Sequence, residues 1–316
     1  MHDIAIIGAG PAGLTAAAYG LRSQLDIILI ARSMGGKVTY PFRLRDAEVA
    51  DPVWGADLVY QFEEMVARSD MEMVDANVIE IRRLENGTFE IDLEDGRVVA
   101  TRTIILNTGS RAKRMYVKGE LDYRGRGVSF SAVSHAPFFQ GRDVAVVGGG
   151  QRAIIAALEL LPLANQVYLI APRLDGLARL PAAKEALEHP RMSVFQGWEI
   201  QEVIGDGEMA DGKFQPGYVT GLNLVGINGE IRSLPVEGVF VQHELMPHND
   251  IARGLVEMDH YGFIRVNERC ETSLPGFFAA GDVTTVHAEQ VVIAIGEGGK
   301  AGLSAWEYVA THRMAQ

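Results

Sequence analysis

Three glycines near the start of the chain, Gly8, Gly10 and Gly13, stand at G-x-G-x-x-G spacing, with Pro11 where a helix would begin and Ala12 inside the turn. Gly8 permits a tight strand-to-helix turn. Gly10 lets a ligand's diphosphate approach bare backbone, and Gly13 removes the side chain where helix and strand cross. The chemistry on offer is the holding of a dinucleotide, because a helix N-terminus presents unpaired N–H groups and a positive dipole end to phosphate. The pattern returns at Gly148-Gly149-Gly150-Gln151-Arg152-Ala153. Further glycine turns occur at Gly35-Gly36 and at Asn107-Thr108-Gly109-Ser110. Many dinucleotide folds place an acidic residue after their second strand to hold a ribose hydroxyl. Here that place holds Ala31-Arg32, so the contact is missing or replaced. Cys270 is the single cysteine.

These residues need elements to position them. Ile4 to Ile7 are continuously apolar, as in a strand buried on both faces, and the segment from Ala12 to Leu21 is rich in small residues that let a helix lie close on a sheet. Asp26 to Ile30 reads as the next parallel strand. From Val78 the pattern changes to three strands joined at Asn86-Gly87 and Asp95-Gly96, a meander. The order then repeats: DVAVV (143–147), glycine turn, helix to about Leu161, VYLI (167–170), and a second meander in which Asn228-Gly229 joins TGLNLVGI to EIRSLPVEGVFV. The last part, from about His243, has no third fingerprint but carries FFAAGDVTT (277–285) and a helical stretch. Its strand is expected to return to the first fold, with the second fold inserted in it. The fold class is therefore α/β, two Rossmann-like nucleotide-binding domains of three-layer ββα form, each with a β-meander. The boundaries read as 1–112 with 243–316, and 113–242.

At 316 residues the chain suits about two domains. A composition of 47% apolar and 22% charged residues is that of a globular protein able to bury cores. Twenty-nine basic residues against 41 acidic give a net charge of −12, which argues against nucleic-acid and anionic-membrane partners. No apolar run approaches the ~18 residues of a membrane helix. The N-terminal stretch has Asp3 where a secretory signal would be basic, and Asn86-Gly87-Thr88 reads as a turn rather than a glycosylation site. With a single cysteine, a cytoplasmic protein with no disulfide framework is expected. No metal site is expected.

The order GAGPAG, NTGS, GRGVSFSAVSHAPFF, VAVVGGG, FFAAGDVTT and EQVVIAIGEGGKAGLSA resembles the low-molecular-weight thioredoxin reductase family over nearly the whole chain. The resemblance implies FAD in the first domain, a nicotinamide dinucleotide in the second, rotation between the two, and a homodimer. It implies that Gly8, Gly10, Pro11, Ala12 and Gly13 face the FAD diphosphate, with Ala31, Arg32, Gly35, Gly36, Thr108 and Gly109 around the same ligand. Gly281-Asp282 would reach the ribityl chain, and Gln290-Val291 would lie against the isoalloxazine. A helix N-terminus there stabilises the negative charge of reduced flavin.

The departures bear on function. The family's C-x-x-C is replaced by Ser131 and Ser134, and its acidic residue by His135. Serine cannot form a disulfide, so dithiol exchange by this route is impossible. Cys270 lies in a polar stretch, NERCETSLPG, and reads as an incidental thiol. His135 reads either as a proton mover near neutral pH or as a histidine hydrogen-bonded in a seam between domains. In the second fold Gly148, Gly150, Gln151, Arg152 and Ala153 form the turn, while the family's H-R-R phosphate clamp is reduced to Ala171-Pro172-Arg173. This weakens the case for NADPH and gives no positive sign of NADH. Three functions follow: a FAD-dependent oxidoreductase that passes electrons between a donor and a small molecule or redox protein, a non-catalytic FAD-binding sensor or partner, and a ferredoxin- or flavin-linked reductase independent of pyridine nucleotide.

Overall fold

The apolar runs fold as strands because the sheets they join are covered on both faces, so successive side chains feed two different cores. The computed structural model describes residues 1–22, 25–46, 55–174, 181–210, 212–286 and 288–313. It forms two compact units, Met1–Thr39 with Val53–Arg111 and Met246–Gln316, and Tyr40–Pro52 with Ala112–Leu245. Elements are numbered in chain order.

In the first unit, β1 (His2–Ala9) leads through a glycine turn to α1 (Pro11–Leu21) and β2 (Ile27–Met34). Helix α2 (Ala56–Ala67), β3 (Glu72–Val74), β4 (Val78–Arg83), β5 (Phe89–Leu93) and β6 (Val98–Leu106) follow. From the far end of the chain come β19 (Phe277–Ala279) and α6 (Val291–Arg313). The sheet order is β3-β2-β1-β6-β5-β4, and β19 pairs in parallel with β6 through Ile104 to Leu106. Strand β6 thus serves two partners along one edge: its start pairs with β5 in the antiparallel meander, its end with β19. Ile4, Ile6, Ile27, Leu29 and Phe278 pack into a core with α1, α2 and α6. Their neighbours Ala5, Ile7, Ile28, Ile30 and Phe277 pack into the opposite core with Phe89, Ile91 and Leu93. Helices α1 and α6 cross closely because a Cβ on Gly298 would stand 2.1 Å from the Ala12 carbonyl oxygen.

The short strands β7 (Ser110–Ala112) and β18 (Leu245–Pro247) stand where the chain passes from one unit to the other. The second unit repeats the scheme. Its parallel sheet runs β11 (Met192–Gln196), β10 (Gln166–Ala171), β9 (Asp143–Val147), β17 (Gly238–Val241), β8 (Val128–Ser129). Helices α3 (Ala132–His135), α4 (Gln151–Leu160) and α5 (Pro181–Leu187) accompany it. Val144, Val146, Leu169 and Phe240 meet the helices, together with Phe42 and Leu44. Ala145, Val147, Ile170 and Val241 meet the meander of β12 (Trp198–Gly205), β15 (Val219–Gly226) and β16 (Ile231–Pro235). A small hairpin, β13 (Glu208–Ala210) with β14 (Lys213–Gln215), is separate.

Three sequence expectations change. β2 runs on to Met34, so Ala31 and Arg32 lie within the strand, where a bulge opposite β1 carries pairing on to Ala9 and Met34. The segment EIRSLPVEGVFV is two strands in different sheets, β16 in the meander and β17 in the parallel sheet. Cys270 lies in the loop before β19, but its side chain is fully buried in the first unit's core despite its polar sequence neighbours.

Candidate functional site

The turn after β1 is shaped by sterics that only glycine meets. Gly8 has φ +99°, and a Cβ there would stand 2.5 Å from the Asn107 carbonyl oxygen. A Cβ on Gly13 would stand 1.8 Å from the Gly8 oxygen, but one on Gly10 would meet nothing within 4 Å. Gly10 is the N-cap of α1 and offers no side-chain cap, so among the described residues no capping side chain takes the N–H groups of the first turn. Opposite, a Cβ on Gly36 would approach the Gly10 Cα to 3.1 Å, and one on Gly281 would approach the Ala12 Cβ to 3.1 Å. The Asn107 carboxamide donates to the Ile105 carbonyl at 3.1 Å, and among the described residues its buried Oδ1 has no donor. A cradle of bare backbone with uncapped N–H groups and a buried acceptor fits a dinucleotide, whose diphosphate takes the N–H groups and whose ribose-type hydroxyls can donate.

The other expected residues of the first unit gather at this carboxyl end of the sheet. The Thr108 hydroxyl donates to the His248 carbonyl at 2.6 Å, and Gly109 (φ +69°) accepts the His248 N–H at 2.9 Å. Asp282 follows Gly281, and its Oδ2 accepts a 2.7 Å hydrogen bond from Lys37 Nζ. Gln290 precedes the first residue of α6, Val291, and its carbonyl accepts the Ala294 N–H at 2.9 Å. Arg32 is turned to carboxylates, Glu94 at 3.2 Å and Asp75 at 3.7 Å. Sequence reasoning named Asn107 only as part of a glycine turn and passed over Lys37, which follows the Gly35-Gly36 turn.

The second unit holds a matching turn. Gly148 has φ +146° and a Cβ there would stand 2.5 Å from the Gln242 carbonyl oxygen, the counterpart of the Gly8–Asn107 approach. Gly150, the uncapped N-cap of α4, has open space where its Cβ would be, as Gly10 has. Gly149 was the overlooked glycine: its Cβ would stand 1.8 Å from the Arg173 carbonyl oxygen. Ala153 is fully buried in the place of a third glycine, Gln151 is exposed, and Arg152 is half-buried. Arg173 is exposed beyond β10. Gln242, just past β17, carries a buried amide nitrogen without an acceptor.

Ser131, Ser134 and His135 lie together in the second unit. Ser131 caps α3: its Oγ accepts the Ser134 N–H at 3.3 Å and donates to Ser134 Oγ at 3.0 Å. His135 Nδ1 is 2.8 Å from Ser129 Oγ, and its ring stacks on Phe42 with centroids 3.8 Å apart. Among the described residues its buried Nε2 has no partner. Burial pushes the imidazole down to about 4, from an ordinary 6.5, so it is neutral at physiological pH. Burial also pushes the Cys270 thiol up to about 11, which leaves it protonated and unreactive. Among the described residues, no cluster of His, Cys, Asp and Glu could hold a metal ion and no helix is long and apolar enough to cross a membrane.

Residues 2–298 match the family model described as pyridine nucleotide-disulphide oxidoreductase. The chain is 36% identical over 312 residues to the F component of the Pseudomonas putida alkyl hydroperoxide reductase, covering 97% of this chain and 58% of that protein's length. It is 32% identical over 311 residues to the thioredoxin reductase of Listeria monocytogenes, covering 98% and 94%. The crystal structure of thioredoxin reductase from Streptococcus pyogenes superposes with a TM-score of 0.86 at 27% identity, covering 98% and 99%.

Proposed function

Because this chain belongs to the pyridine nucleotide-disulphide oxidoreductase family and has the fold of its thioredoxin reductase-like members, we propose that it is an FAD-dependent oxidoreductase working without a dithiol relay. The observation that carries this reading is the first cradle, in which Gly10 faces open space while Gly8, Gly13 and Gly36 hold the surrounding backbone at close approach. Bound FAD would supply the redox step, taking a hydride from a reduced nicotinamide dinucleotide or single electrons from a reduced ferredoxin and returning them to an acceptor. The N–H groups at the start of α1 would hold its diphosphate, and the Asn107 and Asp282 side chains would accept from its hydroxyls. The start of α6 at Gln290 and Val291 would offer a positive dipole end to the negative charge of a reduced flavin.

With serines at 131 and 134 in place of a dithiol, a bound flavin would pass its electrons directly to a small molecule or a redox protein. Ser131 and Ser134 share a hydrogen bond but cannot carry electrons, and Cys270 is buried and protonated. The second cradle, with Gly150 open and α4 uncapped, supports a nicotinamide dinucleotide as donor despite its reduced phosphate clamp. A homodimer is part of the proposal, since Leu303 and Trp306 expose apolar side chains on α6.

Anaerobic mixing of the purified protein with NADPH, NADH or reduced ferredoxin, followed by flavin absorbance, tests the reading. Rapid bleaching with one donor is the expected result and identifies it. Bound FAD that none of the three bleaches would instead make the protein a flavin sensor, a reading that the serine pair favours. A colourless protein that refuses added FAD overturns both.

A further inference from the structure

Four separate stretches of the first unit converge on one ammonium group. Lys37 follows the Gly35-Gly36 turn, and its Nζ donates to Ser110 Oγ at 3.1 Å, to Asp282 Oδ2 at 2.7 Å and to Glu289 Oε2 at 3.2 Å. An ammonium has three N–H groups and here meets three acceptors, one for each donor. The acceptors come from the first residue of β7, the turn after β19 and the approach to α6, each a segment that borders the first cradle. Ser110 is buried and the Asp282 side chain is 16% exposed, while the Lys37 side chain is 45% exposed, so the ammonium stands at the rim of the cradle with its acceptors on the inner side. Asp282 is held through Oδ2, and among the described residues its Oδ1 makes no hydrogen bond, which keeps it open to a hydroxyl donor.

We infer that Lys37 is a positioning residue of the cofactor cradle, one that orients Asp282 toward the cofactor and offsets the negative charge of Asp282 and Glu289 where an anionic diphosphate must enter. The inference rests on the reading of this cradle as an FAD site. Without the ammonium, two carboxylates would face one another beside the ligand, and like charges at that range disfavour both each other and a diphosphate. Arginine would keep the charge but present a planar fork instead of three tetrahedral donors, so it restores the electrostatics without the geometry.

The test is a fluorescence titration of apo-protein with FAD for wild type, Lys37→Gln, Lys37→Arg, Asp282→Asn and the Lys37→Gln/Asp282→Asn pair. Lys37→Gln is expected to weaken FAD binding at least tenfold, with Lys37→Arg between it and wild type. The double variant should bind little worse than its weaker parent, since both changes remove one device. Unchanged affinity in Lys37→Gln overturns the inference while leaving the FAD reading intact. Additive losses in the double variant, or equal losses for glutamine and arginine, overturn it as well, because a mere structural prop would give either. Wild-type protein that takes no FAD overturns the reading of the cradle itself.

Discussion

Replacing His135 with glutamine tests whether burial holds this imidazole neutral. In the folded protein its groups of contact are the Ser129 hydroxyl and the Phe42 ring, neither charged, and desolvation alone lowers its pKa to about 4. Unfolding returns the ring to water and to an ordinary value near 6.5. Between these values the unfolded chain binds a proton that the folded chain refuses, so stability falls as pH drops through that window. Above it the imidazole is neutral in both states and contributes no pH dependence. The gap corresponds to about 3 kcal/mol, fully expressed only near the lower value. Glutamine keeps an amide for Ser129 and does not titrate. Denaturant titrations from about pH 7 to about pH 4 should therefore show wild type losing up to about 3 kcal/mol more than His135→Gln, with other groups cancelling in the difference. Parallel curves, or a His135 ring resonance that titrates at an ordinary histidine value, would refute the reasoning.

The fingerprint glycines should separate into two kinds. Gly8→Ala and Gly13→Ala force a methyl to 2.5 Å and 1.8 Å from backbone oxygens, and should lower stability by roughly 2–4 kcal/mol in thermal melts. Gly10→Ala places its methyl in open space, so the apo-protein should melt near wild type yet lose FAD on desalting. Full FAD retention by Gly10→Ala would show that the cofactor approaches elsewhere. Cys270 should resist alkylation at mildly alkaline pH in the native protein and react once denatured, because burial holds its thiol at about 11. Rapid native labelling would contradict that burial.

Much of both cradles was legible because it depends on local sterics. A positive φ at Gly8 and a close backbone approach at Gly13 are demands that glycine alone meets, so they mark the sequence where they occur. The Asn86-Gly87 turn was readable in the same way, and there Asn86 Oδ1 accepts the Thr88 N–H. Less was visible where one residue type suits several settings. EIRSLPVEGVFV reads as one strand because both of its halves are β-prone, and only the pairing of β17 with β9 separates them. Cys270 sits among polar neighbours in sequence, yet the chain folds it inward, with its thiol toward the Glu297 carbonyl.

The sequence by itself determined where two diphosphates could meet bare backbone, and that 316 residues with a single cysteine hold no internal disulfide. Tertiary structure alone decided that Phe42 would cover His135 and hold it neutral, and that Lys37 would find Asp282 across 245 positions. Steric permission is a property of the few bonds around one residue. Protonation and charge pairing depend on how much water is excluded and which groups arrive, and those are set only when distant segments pack.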